Sequence, residues 1–299
     1  MAVHVTSPRV VLTGASGFLG SHLQAALFRR EVELCLVTHQ RAPSLAEADS
    51  TTKVVSVMTP DWIDAVEAFA PNCFIHAATR FQVTHDRSDI PLMVRSNIEM
   101  GTQLLELAYH HDARFVTIST AWQQYEGFPR NPMNLYAATK QAFDSVADFY
   151  RGEGLDLQRL FLFDVYGPGD TRKKLVPLLV ESARTGEPMH ATSGQQLIDL
   201  TYVDDVVDAV IGCAMNESPA TPTDSVLKSG TRSVRQVAEI LGDVIGAPVP
   251  VIWGAIPDRS KEMRQDWCLE PVLLDWSPTV DLSEGLDRVW KSEGLRDHA

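Results

Sequence analysis

A glycine-rich segment between a predicted strand and a predicted helix constrains the fold of this chain more than any other feature. It reads Thr13-Gly14-Ala15-Ser16-Gly17-Phe18-Leu19-Gly20. In this position, Gly14, Gly17 and Gly20 permit a tight turn, a close approach of the backbone to a pyrophosphate and close packing of the helix on the strand. The N-terminus of the helix would face that anion. We therefore predict a nucleotide-binding turn, although glycines also occur in turns that bind nothing.

The sequence around this turn alternates short β-branched runs with helical patterns. The patterns predict strands at 9–13, 32–37, 53–57, 73–76, 114–119 and 157–165 and helices at 17–30, 62–69, 97–109 and 135–151. Strands and helices that alternate at this length form right-handed βαβ units, in which helices cover both faces of a parallel sheet. We therefore predict an α/β fold with a Rossmann-like, doubly wound parallel sheet.

The strict alternation ends near residue 166, after which Pro and Gly become frequent. Helical patterns continue at 174–185, 203–215, 233–245 and 281–291. We expect a nucleotide-binding Rossmann domain in residues 1–166, with some return of the chain to it around residues 200–230. Residues 167–299 would form a smaller, partly helical C-terminal lobe that binds the substrate.

Charge and composition exclude several classes of partner. The chain of 299 residues has 26 Lys and Arg against 39 Asp and Glu, a formal net charge of −13, so its average field repels nucleic acids and anionic membranes. It shows neither an apolar run long enough to span a membrane nor a signal-peptide pattern, which favours a soluble protein of the cytoplasm. The four cysteines form no Cys-x-x-Cys pair, so we expect reduced thiols and no metal site.

The end of the second predicted strand bears on the choice of nicotinamide cofactor. An NAD-binding unit usually places an Asp or Glu there, about 20 residues after the glycine turn, to bind the ribose hydroxyls. Here the segment is Val37-Thr38-His39-Gln40-Arg41, without a carboxylate. Arg41 could pair with a 2′-phosphate, which predicts NADP, or it could be a solvated loop residue.

A tyrosine and a lysine four residues apart, Tyr136 and Lys140, fall inside the helix predicted at 135–151. This spacing sets both side chains on one face of the helix. Tyrosine has a reference pKa of about 10, and a nearby ammonium favours the ionised form and so tunes the phenol for proton transfer. Thr120 ends the preceding predicted strand, at the edge of a parallel sheet where sites form. We therefore predict that Tyr136, Lys140 and Thr120 are catalytic, with the Thr120 hydroxyl holding a substrate oxygen beside the phenol.

Several further short segments match one family pattern. They are Ile75-His76-Ala77-Ala78, Asn97-Ile98-Glu99-Met100-Gly101-Thr102, Asp164-Val165-Tyr166-Gly167-Pro168, Thr201-Tyr202-Val203-Asp204-Asp205-Val206, Leu274-Asp275-Trp276-Ser277-Pro278 and Leu282-Ser283-Glu284-Gly285-Leu286. With the glycine turn and the Tyr-Lys pair, they resemble the extended short-chain dehydrogenase/reductase superfamily over nearly the whole chain. The resemblance is to its nucleotide-sugar epimerase, dehydratase and ketoreductase branch.

The resemblance implies a role for each matching residue. Tyr136 would be the proton donor or acceptor, Lys140 would bind the nicotinamide ribose and lower the pKa of the phenol, and Thr120 occupies the family's Ser/Thr position. The implied cofactor-binding residues are Gly14, Ser16, Gly17, Phe18, Leu19, Gly20, His39, Arg41, Met58, Ala77, Ala78, Asn97, Lys140, Phe163 and Val165. Among them, the two alanines could equally be packing residues, and Asn97 could equally cap a helix.

The sequence departs from the family pattern in ways that narrow the reaction. The 4,6-dehydratases of this branch carry an Asp-Glu pair directly after the Thr, whereas Ala121 and Trp122 follow Thr120 here. Asp164 stands where the pattern has Asn, and Met58 stands where an acidic residue often touches adenine. Without the acid and the base after the Thr, we expect a reductase rather than a dehydratase.

A basic segment in the second part of the chain indicates the substrate. Residues 169–179 and 193–196 resemble the CDP-abequose synthase type of sugar 4-ketoreductase, in which this stretch covers the nucleotide diphosphate. A short basic run is also typical of a solvated face. The candidate substrate-binding residues are Arg80, Trp122, Arg172, Lys174 and Gln196.

The sequence thus predicts an NADPH-dependent reductase of the C4 keto group of a nucleotide-linked 4-keto-6-deoxy sugar. Two alternatives stay open: an NAD-dependent nucleotide-sugar epimerase that uses the same residues, and a non-catalytic NADP-sensing protein, since a fold does not determine a function. Many relatives pair through the helix that carries the Tyr and Lys. We therefore expect a homodimer that buries Met100, Leu104, Leu105 and the surface of residues 143–149.

Overall fold

The structure is a computed structural model that describes residues 8–30, 32–39, 52–216, 224–267 and 276–296. The first half contains β1 (Arg9–Thr13), α1 (Phe18–Phe28), β2 (Glu33–Thr38), β3 (Lys53–Ser56), α2 (Trp62–Glu67), β4 (Cys73–His76), α3 (Asp89–Val94), α4 (Met100–His110), β5 (Arg114–Thr120), α5 (Leu135–Gly152) and β6 (Leu157–Leu162). The second half contains β7 (Asp164–Tyr166), α6 (Leu175–Thr185), β8 (Met189–His190), β9 (Leu197–Tyr202), α7 (Val203–Met215), β10 (Asp224–Leu227), β11 (Thr231–Ser233), α8 (Val234–Ile245), β12 (Val251–Ile252) and α9 (Leu282–Arg296).

Seven parallel strands form the central sheet in the order β10-β6-β5-β4-β1-β2-β3. The strand order reverses between β1 and β4, which is where doubly wound sheets bind their ligands. This arrangement confirms the predicted α/β fold with a Rossmann-like parallel sheet. The seventh strand, β10, comes from the second half of the chain and pairs with β6 along residues 159–162.

Apolar side chains on each strand alternate between the two faces of the sheet, as the two-residue period of a strand requires. On β1, Val10 and Leu12 pack toward the face covered by α1 and α7, in one core cluster. Val11 packs into the other cluster, with Leu104 of α4 and Phe143 of α5. Helices therefore cover both faces of the sheet.

The packing of α4 and α5 corrects the predicted dimer surface. Leu104, Leu105 and Phe143 are 0% exposed, because they already pack against the central sheet in the core of their own chain. These side chains are therefore not available for a contact between two copies. Phe149 differs, since it is 62% exposed on the last turns of α5.

The second half adds two small sheets. In one of them β7 pairs in parallel with β9, and β9 pairs antiparallel with β11, while β8 and β12 form the other. The pattern at 157–165 predicts a single strand, but the structure divides it at Phe163, because residues 164–166 leave the central sheet to pair with residues 200–202. The division places Phe163 and Asp164 at the carboxyl-terminal edge of the sheet.

Local signals explain where two helices of the site begin. Asn134 caps α5, since its Oδ1 accepts from Ala137 N at 2.9 Å, and this places Tyr136 in the first turn. A π-helical turn at residues 95–99 joins α3 to α4, where the sequence predicts the start of one regular helix.

Among the described residues, no helix is both long enough and apolar enough to cross a bilayer.

Candidate functional site

Residues that follow β1, β2, β3, β4, β5 and β6 line one cavity of about 850 Å³. This volume lies in the upper part of the usual range for small-molecule sites, roughly 300–1,000 Å³. Its wall includes most of the predicted cofactor-binding residues, namely Gly14, Ser16, Gly17, Phe18, Leu19, Gly20, His39, Met58, Ala77, Ala78, Phe163 and Val165. Arg41 lies outside the described residues. Positions spread over more than 150 residues of the chain therefore meet at one edge of the sheet.

The glycine turn has the shape that a dinucleotide needs. Gly14 has a φ of +76°, and a Cβ on it would lie 2.7 Å from Ala78 N, so the turns after β1 and β4 are in contact. Gly17 N donates to Gly14 O at 2.9 Å and closes the turn. A Cβ on Gly20 would overlap the Gly14 carbonyl oxygen. α1 begins at Phe18, and no side chain among the described residues caps its N-terminus. The first N–H groups of the helix are therefore available to a pyrophosphate.

Two adjacent hydroxyls end β5, and their hydrogen bonds distinguish them. Ser119 Oγ donates to the Asp144 carboxylate at 2.7 Å, and Gln123 Nε2 donates to the same carboxylate at 2.9 Å. Thr120 Oγ1 accepts from Trp122 N at 3.3 Å. A hydroxyl has one proton to donate, so the proton of Ser119 is committed and that of Thr120 is available to a substrate oxygen.

Tyr136 lines the same cavity, half-buried in its wall. The Phe81 ring packs edge-on against the phenol ring, with centroids 5.0 Å apart and planes at 78°. Burial raises the pKa of Tyr136 to about 12, and the Thr79 hydroxyl, which interacts with the phenol, acts in the opposite direction. Tyr136 is therefore protonated at neutral pH, which is the state required of a proton donor.

Lys140 lies one helical turn after Tyr136, behind the cavity wall. It is 2% exposed and is not among the residues that line the cavity. Burial lowers the pKa of Lys140, and the charge of Asp144 opposes this change. Burial, together with the Lys140 charge, also lowers the pKa of His76 to about 3. The lysine therefore lies in the protein interior within range of the Asp144 charge, and the pKa of the Tyr136 phenol is raised by burial rather than lowered as the resemblance implies.

Asn97 and Arg80 lie beside the cavity rather than in its wall. Asn97 Oδ1 accepts from Thr79 Oγ1 at 3.1 Å and from Arg80 N at 2.7 Å, while its amide donates to Thr139 Oγ1 at 2.9 Å. Asn97 lies inside the π-helical turn and caps no helix, which removes the helix-cap interpretation. The Arg80 guanidinium donates to Asp89 at 3.0 Å, and Arg80 is not among the residues that line the cavity.

Trp122 and Lys174, two of the predicted substrate-binding residues, line the cavity near Phe81. The centroids of the Trp122 and Phe81 rings are 6.3 Å apart. Lys174 Nζ lies 5.0 Å from the centroid of Phe81 and donates to Asp164 Oδ1 at 2.7 Å. This cation therefore enters the cavity paired with a carboxylate, close to the ring that contacts Tyr136.

Arg172 also lines the cavity, whereas Gln196 does not. The Arg172 guanidinium donates twice to Asp170, at 2.6 and 2.7 Å, and lies 4.5 Å from the centroid of the Phe18 ring. Gln196 Nε2 donates to Thr192 Oγ1 at 2.8 Å, within its own loop. The structure thus brings Trp122, Lys174 and Arg172 to the cavity and leaves Arg80 and Gln196 outside it.

Comparison with known proteins now identifies the family of this chain. Residues 10–224 match the model of the NAD dependent epimerase/dehydratase family. The chain belongs to this family. Membership in the NAD dependent epimerase/dehydratase family confirms the resemblance to the extended short-chain dehydrogenases/reductases, and makes the protein an oxidoreductase-type enzyme with a nicotinamide dinucleotide cofactor.

Individual members of the NAD dependent epimerase/dehydratase family resemble the chain over almost its full length. CDP-abequose synthase from Salmonella typhimurium is 24% identical, covering 94% of this chain and 97% of that protein. UDP-glucose 4-epimerase from Mycolicibacterium smegmatis is 26% identical, covering 93% of this chain and 96% of that protein. UDP-glucuronic acid 4-epimerase from Bacillus cereus, solved with UDP-glucuronic acid and NAD, superposes with a TM-score of 0.81 at 23% identity, covering 96% of this chain and 99% of that chain.

The cavity is also lined by residues that were not predicted from the sequence as site residues, among them Thr79, Phe81 and Asp164. Thr79 and Phe81 directly follow the Ala77-Ala78 segment and contact Tyr136, so their position next to a recognised motif was the available signal. Asp164 was noted only as a departure from the family pattern, and the structure pairs it with Lys174. No cluster of three or more His, Cys, Asp or Glu that could hold a metal ion occurs in the part of the chain that the structure describes.

Proposed function

We propose that the protein uses NADPH to reduce the C4 keto group of a nucleotide-linked 4-keto-6-deoxy sugar. One observation carries the proposal: the cavity joins the glycine turn to Thr120 and Tyr136, and the residues directly after Thr120 are the buried Ala121 and the cavity residue Trp122. The 4,6-dehydratases need an acid and a base at those two positions. A carbonyl reduction needs only a proton donor beside the oxygen.

Each residue of the site has a distinct task in this reaction. When bound, the nicotinamide supplies the hydride for the carbonyl carbon. The Thr120 hydroxyl, whose proton is available, donates a hydrogen bond to the carbonyl oxygen and orients it. Tyr136, protonated at neutral pH, gives its proton to the same oxygen as the carbonyl becomes an alcohol. The buried charge of Lys140 then stabilises the phenolate that Tyr136 has become.

We assign the diphosphate of the sugar nucleotide to Lys174. Its ammonium lies against Phe81, and the same ring contacts Tyr136, so an anion bound by Lys174 lies near the proton donor. The Asp164 carboxylate accepts one of the ammonium's N–H groups, and the others can bind phosphate oxygens. The similarity to CDP-abequose synthase along both chains supports a sugar nucleotide as the substrate.

The test of this function is NADPH consumption in the presence of a nucleoside diphosphate-4-keto-6-deoxyglucose. We expect one NADPH to be oxidised for each sugar reduced. The second candidate is a nucleotide-sugar epimerase, which the similarity to UDP-glucose 4-epimerase favours. An epimerase would convert the sugar without net oxidation of NADPH and would retain NAD through purification, and that pair of results would reject the reductase.

The preference for NADPH over NADH is expected to fall by about tenfold to a hundredfold in Arg41→Ala. The described end of β2 offers Thr38 and His39 but no carboxylate, and a charge-assisted hydrogen bond to a phosphate contributes about 1.5–3 kcal/mol. Fluorescence titrations with both cofactors measure the ratio of dissociation constants. Arg29→Ala, at the exposed far end of α1, is the control. An unchanged ratio in Arg41→Ala would assign the 2′-phosphate to another residue.

A further inference from the structure

We propose that Arg172 binds the pyrophosphate of the dinucleotide cofactor and not the diphosphate of the sugar nucleotide. The inference deepens the proposed function, because that function requires two diphosphates, one from the cofactor and one from the substrate, in the same cavity. Arg172 and Lys174, two cations of the basic segment, pack on different aromatic rings, Phe18 and Phe81, and from this difference we assign them to different ligands.

The loop that carries Arg172 is docked on the first turns of α1. His22 Nε2 lies 3.0 Å from Pro168 O, a distance at which the ring N–H donates to the carbonyl. A Cβ on Gly167 would lie 3.5 Å from Cζ of Phe18, so the Phe18 ring contacts the loop as well. Residues 167–172 therefore lie over the helix N-terminus that faces the pyrophosphate site.

The hydrogen bonds of Arg172 leave one end of its guanidinium available. Nε donates to Asp170 Oδ1, and Nη2 donates to Asp170 Oδ2 and, at 3.1 Å, to Val165 O. Nη1 has no acceptor among the residues that the structure describes, and Arg172 lines the cavity. The two N–H groups of Nη1 are therefore the ones that an anion in the cavity can engage.

The side chain is also held in place before any ligand binds. Asp170 is 3% exposed at its side chain and binds two nitrogens of the fork. The Phe18 ring supports the guanidinium at 4.5 Å. Phe18 is the first residue of α1, so the cation stands next to the N–H groups that the cofactor's pyrophosphate would meet. A fixed cation beside a helix N-terminus loses little freedom when it binds that anion.

Lys174 packs on a different ring from Arg172. Its ammonium is next to Phe81, which contacts both Tyr136 and Trp122. Tyr136 and Trp122 are the residues expected beside the sugar. Lys174 is thus the cation for the substrate and Arg172 the cation for the cofactor, although two positions separate them in sequence.

The test compares Arg172→Lys with Lys174→Met in direct binding titrations. Arg172→Lys keeps a cation beside the buried Asp170, so the loop retains its ion pair, but it removes the second nitrogen of the fork. We expect about a tenfold or greater loss of NADPH affinity, with binding of CDP and UDP unchanged. Lys174→Met is expected to give the reverse, with weaker nucleoside diphosphate binding and unchanged NADPH binding. Thermal melting of each variant shows that it is folded.

A third probe distinguishes the pyrophosphate from the 2′-phosphate. Adenosine 2′-monophosphate carries only the latter, and its affinity is expected to be unchanged in Arg172→Lys. Two results for Arg172→Lys would overturn the proposal. Unchanged NADPH affinity with weakened CDP or UDP binding would place Arg172 in the substrate site. Unchanged binding of all probes would mean that Arg172 binds neither diphosphate. These titrations measure binding without turnover, so they test the role of Arg172 even if the protein does not reduce a keto sugar. Repeating them with NADH extends the test to the case in which the protein prefers NAD.

Discussion

Tyr136→Phe is expected to lower kcat for reduction of the keto sugar by about 10²–10⁴-fold. The variant keeps the ring that packs on Phe81 and removes only the hydroxyl that donates the proton. Burial raises the pKa of this phenol to about 12, so wild-type Tyr136 carries its proton throughout the neutral range. Single-turnover and steady-state rates of NADPH oxidation measure the change.

Cofactor binding separates a chemical effect from a structural one. The dissociation constant for NADPH is expected to be the same in Tyr136→Phe and in the wild type. Tyr109→Phe, which removes a hydroxyl from a partly exposed ring on α4, is the control and should retain full activity. Equal kcat values in the two variants would remove Tyr136 from the mechanism.

The same phenol predicts opposite pH profiles for the two directions of the reaction. Reduction uses the protonated phenol, which predominates below its pKa, so the rate should be flat from neutral to mildly alkaline pH. Oxidation of the alcohol uses the phenolate, whose fraction rises tenfold for each pH unit below the pKa. A rate of alcohol oxidation that does not rise with pH would contradict this assignment.

Gly20→Ala is expected to lower the free energy of unfolding by about 1–3 kcal/mol and to abolish measurable dinucleotide binding. A methyl group at this position would overlap Gly14 O and would lie 2.9 Å from Ala15 Cα. Both contacts are with backbone, which cannot rotate away as a side chain can. The helix and the glycine turn must therefore separate, and the turn is the part that approaches the pyrophosphate.

Gly212→Ala is the matched control, because Gly212 is also a helical glycine. A Cβ there would have no neighbour within 4 Å, and α7 should gain up to about 1 kcal/mol from the better helix propensity of alanine. Thermal denaturation with and without NADPH measures both effects. The two substitutions are expected to change stability in opposite directions, and a stable Gly20→Ala that still binds NADPH would exclude the glycine turn from the cofactor site.

The parts of the fold that depend on local patterns could be predicted from the sequence. The strand at 9–13, the glycine turn and the helix at 135–151 follow from β-branched runs, glycine spacing and helical periodicity, and each is observed within a few residues. The break between β6 and β7 could not be predicted, because it depends on the distant pairing of β7 with β9. The π-helical turn before α4 could not be predicted either, because it occurs together with hydrogen bonds from Thr79 and Arg80 to Asn97.

The candidate site shows the same division. Thr120 and Tyr136 reach the cavity because each stands at the end of a regular element, and such positions are set by the fold. Arg80 does not reach it, because Asp89 in the following helix binds its guanidinium. Arg172 and Lys174 are two cations of one basic run in the sequence, and their neighbours distinguish them: Arg172 lies beside Asp170 and Phe18, and Lys174 beside Asp164 and Phe81. Long polar side chains have many reachable partners, so their final contacts depend on packing.

The late entry of β10 into the central sheet makes the two halves of the chain inseparable as fragments. A truncated protein ending at residue 216 would contain every element up to α7, yet β6 would lose its neighbour along residues 159–162. Its unpaired N–H and C=O groups would form an open edge, a template for aggregation. Arg159, which is 5% exposed at its side chain, would also lose the Asp224 carboxylate that binds it at 2.8 Å. Expression of the dinucleotide-binding half alone should therefore yield aggregates, and a soluble fragment must carry residues 224–227 as well.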